Sequence, residues 1–473
     1  MTHVDWQSVE ALLDQQADAF AADLAEFCAI PSEAGNQAAL DEAAAWIGDR
    51  LARSGATTRV LHDGAAPALV VGEVGPGRDG GGAGGPTRVI NAVQHYDVQP
   101  AGDVAGWTSA PYAPQVRDGR LYARGASDNK GELLLRVWAA EAFQRAVGEL
   151  PCRVRFLVEG EEETGSQNLA GLLAQDPQLL VADGALGEAG GVDEEGRPMV
   201  DAGVRGMLYV RLRVRTLARD GHSGGATLLP NAAARLAGAL GTLTKPDGAP
   251  AWAGLYAGVV PLASSARDAV RAMPLDLLQQ IRREFNVTRL VDGLDGYEAL
   301  EADLARPTCN IQAVASGDVT PSGRNIVPAE AWARIDMRLV PEQDPDEIRA
   351  LLRTHLDEGG FGDVEIEDVG PPARAYWTDL DDPLVEAAKR AVEDSFGKPA
   401  IMLPSMAGTA PMFEACHPHR VPMVMIGSAD LANNAHAPDE SMSLAAARTA
   451  AMAFLRFLVN VAAKERVAGR GYS

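Results

Sequence analysis

The sequence is poor in cysteine: Cys28, Cys152, Cys309 and Cys416 lie far apart, with no CxxC pair. That spacing excludes a disulfide framework and a structural zinc knuckle, and leaves buried free thiols as the expectation. Basic charge is also short, with 42 Lys and Arg against 65 Asp and Glu and a formal charge of −23. Such a surface repels phosphate backbones and anionic headgroups, so nucleic acid and membrane are not expected partners. It suits a cytoplasmic protein and favours cation binding. Residues 1–6 have neither a basic nor an apolar segment, so no secretory signal is expected. The most apolar late stretch, Ala445 to Ala463, is interrupted by Arg448 and Arg456. It reads as an amphipathic helix burying Met452, Leu455 and Val461 rather than as a membrane span. The glycine tract from Gly75 to Pro86 has no lysine, serine or threonine arranged for phosphate, and reads as a flexible surface loop.

The chain of 473 residues, 47% hydrophobic and 23% charged, has room for two or three domains and a large core. Helical spacing runs through Val9 to Ile30 and Gln37 to Ser54, and apolar strands are expected at Ala68 to Val71, Val89 to Val93 and Val154 to Val158. A helix opening near Asp128 lies between the last two, with Leu133, Leu134, Val137 and Trp138 on its apolar stripe. Strand, helix, strand at this spacing predicts an α/β fold whose sheet is largely parallel, with ligands at the carboxyl ends of the strands. From about Gly206 the texture changes. Leu208, Val210, Leu212 and Val214, and later Ala331, Ala333, Ile335, Met337 and Leu339, alternate with polar residues, as in a sheet with one open face. A second, α+β domain is therefore expected at 206–371, inserted into a first made of 1–205 and 372–473.

Four carboxylates, Glu159, Glu161, Glu162 and Glu163, crowd directly after the apolar run Phe156 to Val158. Carboxylates fixed so close cannot all stay ionised cheaply, so the cluster calls for raised pKa values or bound cations unless it is a solvated loop. His95 and Asp97 end the run Val89 to Val93. Residues two apart on a strand share a face, so Asp97 can fix the tautomer of His95 as a ligating imidazole requires. Asp128 alone would be a helix N-cap. Glu188 follows the apolar stretch Leu179 to Val181, and His436 follows the apolar strand Val421 to Ile426. Each has an ordinary explanation, but two histidines and several carboxylates, each just after a strand, make a ligand set suited to two divalent ions of the zinc type.

The segments that carry these residues are Gln94 to Pro100, Tyr122 to Gly131, Glu162 to Ser166 and Ala435 to Glu440, and together they resemble the M20 family of dinuclear metallopeptidases and deacylases. The resemblance implies a zinc-peptidase-like catalytic domain, with a mixed, largely parallel sheet flanked by helices, and an inserted lid and dimerisation domain. It implies two divalent ions, zinc first with manganese or cobalt as alternatives. Asp128 would bridge them, with His95 and Glu188 completing one site and Glu163 and His436 the other. Glu162 would be the general base, Asp97 beside His95 would belong to the catalytic set, and the Asp128–Asn129 peptide bond would be cis. In the inserted domain His222 would stabilise the oxyanion, often across the interface of a homodimer. Arg338 and Asn325 would hold the substrate carboxylate, beside the turn Gly408–Thr409.

The substrate so implied is a dipeptide or small peptide-like molecule with a free carboxylate. The alternative is a deacylase or amidase acting on N-acyl amino acids or related amides, or, further off, a metal-binding scaffold without catalysis. Dipeptidases of the family usually carry aspartate at the Glu188 position, which leans toward the carboxypeptidase-like and deacylase-like members. Glu159 to Ser166 and the Arg338 region look more like the dipeptidase branch.

Overall fold

A computed structural model describes residues 4–77 and 87–463. Most of the glycine tract expected to be a surface loop, residues 78–86, lies outside the described residues. The chain forms two compact units, one of residues 1–203, 377–406 and 410–473, the other of residues 204–376 and 407–409. The turn at 407–409, expected in the first domain, packs with the second unit.

The first unit is built on a six-stranded sheet in the order Thr57–Leu61, Leu69–Val74, Arg153–Glu159, Val89–His95, Gly184–Leu186, Met423–Val424. The four strands from Arg153–Glu159 onward run parallel, while Leu69–Val74 is antiparallel to both its neighbours. All seven residues of Val89–His95 are buried, as a strand covered by helices on both faces requires. The helices Trp6–Cys28, Lys130–Val147, Pro383–Phe396 and Leu444–Ala463 pack on one another around this sheet. Phe20 stacks on Trp138 with ring centroids 4.5 Å apart, one of the contacts that lock the first two of these together. Helix starts are set locally: the side chains of Asp5, Asn36 and Asp382 each accept a backbone N–H of the first turn.

Leu444–Ala463 is long and apolar enough to cross a membrane by length and composition, yet Met452, Leu455 and Val461 are buried in the protein core. The four cysteines are free and buried. Two local expectations differ from the structure. Pro177–Leu180 is a 3-10 turn rather than a strand, because Pro177 follows the capping Asp176, and the strand before Glu188 is Gly184–Leu186. The run Val421 to Ile426 is strand only at Met423–Val424.

The second unit holds an antiparallel sheet in the order Asn310–Ser316, Glu330–Leu339, Gly206–Arg215, Glu365–Asp368. Burial alternates along its two long strands. The apolar face packs on the helices Ala232–Leu243 and Pro345–Glu358. On the other face Arg213 and Arg215 pair with Glu330, and Arg211 pairs with Glu367.

Candidate metal centre

The parallel register sets the site. His95 lies opposite Glu159 on one side, and Gly184–Leu186 runs alongside on the other, so the chain leaves three neighbouring strands at the same end of the sheet. The first exit carries His95 and Asp97. The second enters a 3-10 turn, Glu162–Thr164, closed by Gly165 at φ +91°, a left-handed conformation that favours glycine. The third reaches Glu188 two residues beyond its strand. Asp128 arrives from the segment before the helix Lys130–Val147, and its peptide bond to Asn129 is cis. His436 lies on the loop between Met423–Val424 and the last helix.

Asp128 is the centre of the cluster. Its Oδ1 is 3.1 Å from His95 Nε2 and its Oδ2 is 2.9 Å from His436 Nε2. Glu188 Oε2 lies 3.3 Å from His95 Nε2, with Glu162 Oε2 at 4.0 Å. On the other side Glu163 Oε2 lies 3.3 Å from His436 Nε2. His95 Nδ1 faces the Asp97 carbonyl at 3.0 Å and its carboxylate at 3.2 Å. With two acceptors there, the proton of a neutral imidazole belongs on Nδ1, and Nε2 is left as the atom able to ligate an ion. The Asp97 carboxylate also accepts the backbone N–H groups of Glu162 (3.2 Å) and Glu163 (3.0 Å), fixing the turn that carries both.

The electrostatics follow from the crowding of buried carboxylates. Burial pushes Glu162 well above the usual carboxylate range, with Glu188 adding repulsion. Burial raises Glu188 to about 7 although His95 opposes the shift. Burial resists the protonation of His95, but Glu188, Asp128 and Asp97 outweigh it and hold the imidazole well above its ordinary value. Hydrogen bonds to Asp128 and Glu163 lift His436 to about 10. Protons are thus favoured on groups where carboxylates crowd together. Among the described residues, two sets of ligand-capable atoms lie within 4.8 Å of one another: His95, Asp128 and Glu163, and His95, Glu162 and Glu188. Nitrogen and oxygen donors in this number fit divalent ions of the zinc type.

The remaining residues singled out in the sequence belong to the second unit. His222 pairs with Ile326 across a short ladder, and its Nδ1 accepts the N–H of Gly224 at 3.1 Å. The Asn325 carbonyl accepts the N–H of Ser223 at 3.0 Å. Arg338 donates to the Thr409 hydroxyl at 2.9 Å, and the Gly408 carbonyl accepts the N–H of Arg205 at 2.9 Å. These are two groups, not one. His222 and Asn325 lie near the Glu330 end of the strand Glu330–Leu339, where Ala329 N–H bonds Asp220, and Arg338 lies at the other end. Eight strand positions separate Glu330 from Arg338, roughly 26 Å at the rise of an extended chain.

Two supporting residues escaped the sequence reading. Gln99 donates its backbone N–H (3.1 Å) and side-chain amide (2.8 Å) to the Glu163 carboxylate. Glu440, fully buried, accepts the N–H groups of Gly125 (3.0 Å), Ser127 (2.9 Å) and Asp128 (2.9 Å) and pairs with Arg124 at 2.7 Å. Both lie inside segments already picked out around His95 and His436, and that proximity was the only signal. Glu159 donates nothing to the cluster; it is buried and accepts the Ser166 hydroxyl at 2.7 Å. Glu161 is tied to Asn168.

The sequence profile of peptidase family M20/M25/M40 matches residues 93–460. Human Beta-Ala-His dipeptidase is 28% identical over 367 residues, covering 74% of this chain and 70% of the relative. Cysteinylglycine-S-conjugate dipeptidase of Corynebacterium striatum is 28% identical over 385 residues, covering 79% and 81%. Among solved structures, an M20 family metallo-carboxypeptidase of Sulfolobus solfataricus is 30% identical and superposes with a TM-score of 0.82, covering 92% of this chain and 97% of the other.

Proposed function

The chain belongs to the M20/M25/M40 peptidase family and is a metallopeptidase of that kind; from that premise we propose that it is a dinuclear dipeptidase with Glu162 as general base. The carrying observation is that the two oxygens of Asp128 face different histidines, His95 at 3.1 Å and His436 at 2.9 Å. His95 and Glu188 would hold one divalent ion, Glu163 and His436 the other, and Asp128 both; zinc suits the donors best, with manganese or cobalt as alternatives. When bound, the ions supply Lewis-acid polarisation of the scissile carbonyl and acidify the attacking water.

The protein's own groups do the rest. Glu162 takes the proton of the attacking water and delivers it to the leaving nitrogen, a role matched to a carboxyl whose pKa burial has raised. Asp97 holds Glu162 in place through the backbone of its turn. Arg338, presented with Thr409 beside Gly408, binds the free carboxylate of the substrate through its planar fork. His222 donates to the oxyanion, with Asn325 next to it. A dipeptide is far shorter than the roughly 26 Å that separates the His222 end of the second unit from Arg338. One substrate therefore meets both only if they come from different chains, which supports a homodimer in which the second unit of one chain serves the site of its partner. The four unpaired thiols suit the cytoplasm.

Glu188, where dipeptidases usually have aspartate, favours the second reading, an N-acyl amino acid deacylase with the same base. The test is zinc- or manganese-loaded protein assayed on a dipeptide panel beside N-acetyl amino acids. Dipeptide turnover is expected; hydrolysis of the acyl compounds alone would overturn the first reading in favour of the second.

A further inference from the structure

The helix that starts just after Asp128 carries a buried ion pair with no part in the chemistry above. Glu132 and Arg136 are 2% and 1% exposed and lie 3.3 Å apart, one turn from each other and, for Glu132, four positions from Asp128. The Arg136 guanidinium spans the ends of three strands. Nη1 donates to the Gln94 side chain at 2.9 Å and to the Glu132 carbonyl at 2.7 Å; Nη2 donates to the carbonyls of Ile426 at 3.0 Å and Gly187 at 3.3 Å. Gln94 immediately precedes His95, and Gly187 immediately precedes Glu188. Glu132 adds a clamp on the third strand, accepting the N–H of Ser428 at 2.7 Å and its hydroxyl at 2.5 Å. The clamped segment is tight: a Cβ on Gly427 would lie 2.6 Å from the Gly190 carbonyl oxygen and 2.9 Å from Glu132.

The support is one-sided. Glu163 is held by Gln99, and neither Glu163 nor His436 is adjacent in sequence to a partner of Arg136; the clamped residue nearest to His436 in sequence is Ser428, eight positions earlier. An apolar pair of similar volume would generally stabilise a core as well as a buried ion pair does, so energy of folding gives little reason for a guanidinium here. Its several donors fix the chain beside two ligand-capable side chains, and this arrangement can set their separation. We infer that Glu132 and Arg136 are positioning residues for the half of the metal centre formed by His95 and Glu188, and that their loss weakens one ion and spares the other. Glutamate at position 188 has one methylene more than aspartate to hold still, which gives the clamp on Gly187 its purpose.

The inference rests on the dinuclear reading, and the experiment separates the two. Demetallated protein is titrated with zinc by calorimetry, with bound metal counted by mass spectrometry, for the wild type, Arg136→Lys and the charge-balanced double variant Glu132→Gln/Arg136→Met. The wild type is expected to bind two ions; one ion or none would sink the dinuclear reading itself. With two in the wild type, each variant is expected to keep one at unchanged affinity and to bind the other about 10- to 100-fold more weakly, the range seen when support behind a metal ligand is removed. Turnover by Arg136→Lys should then recover as free zinc is raised, with KM for the dipeptide unchanged. Wild-type affinity for both ions, or equal weakening of both, would overturn the positioning role. Should the double variant not fold, Arg136→Lys decides alone, because a lysine ammonium retains the charge but cannot reach three strand ends.

Discussion

His95, proposed to hold metal, and His222, proposed to meet the substrate, are built in opposite ways. His95 is fully buried, and both its ring nitrogens face carboxylates or a carbonyl; the Asp128 backbone is fixed by Glu440 and the Glu163 carboxylate by Gln99. In the second unit His222 is exposed, on a two-residue strand, its ring accepting the N–H of Gly224. The difference follows from the ligand. An ion needs its donors fixed in advance, because small displacements weaken every bond to it together. A substrate arrives and leaves, and a group that touches it only in the transition state gains nothing from being locked beforehand.

That contrast can be broken at three points. The largest effect is expected from Glu162→Gln, which removes the proton shuttle and no proposed ligand: kcat should fall about 100- to 10,000-fold with two ions still bound. Loss of an ion in that variant would move Glu162 into the fixed set, beside His95 and Glu188, with which it already clusters. His222→Ala should lower kcat about 100- to 1,000-fold, with metal content and melting temperature unchanged. Full activity would remove His222 from the substrate set. The smallest effect is on the pH dependence of stability.

Glu188 is raised to about 7 and His436 to about 10 in the folded, metal-free protein. A raised pKa means that the protonated form suits the fold. The stability each group contributes is complete below its unfolded value, about 4.3 for glutamate and 6.5 for histidine, and is lost as pH rises through the folded value. Asp128, shifted down because its bonds to His436 and His95 outweigh its burial, has finished titrating below that window. Bound zinc takes the place of the protons, so the gain in Tm on adding zinc should widen between about pH 5.5 and pH 8. A gain that is constant or shrinks over that range would contradict the charge balance of the cluster.

What the sequence made legible was whatever depends on local period. The buried strand through Val93, the alternation from Leu208 to Val214 and the placement of His95, Asp97 and Glu162 at strand ends all come from side-chain spacing along a few residues. Glu440 and Arg136 were not legible, because their partners lie 312 positions away at Asp128 and 290 positions away at Ile426. No periodic signal marks such a contact, and a charged residue on an apolar stripe reads as a solvated edge. The apolar triplet Leu179 to Val181 was misread for the opposite reason. It is as apolar as a strand, but the capping Asp176 and Pro177 turn it into a 3-10 element.

Burial also gives the metal cluster a direction. The side chain of His95 is inaccessible to water, whereas that of His436 is 53% exposed, on a loop where its own φ is +62°. Water reaches the cluster from the His436 side and is shut out behind His95. A chelator or a competing ion therefore meets the His436 imidazole before it meets that of His95.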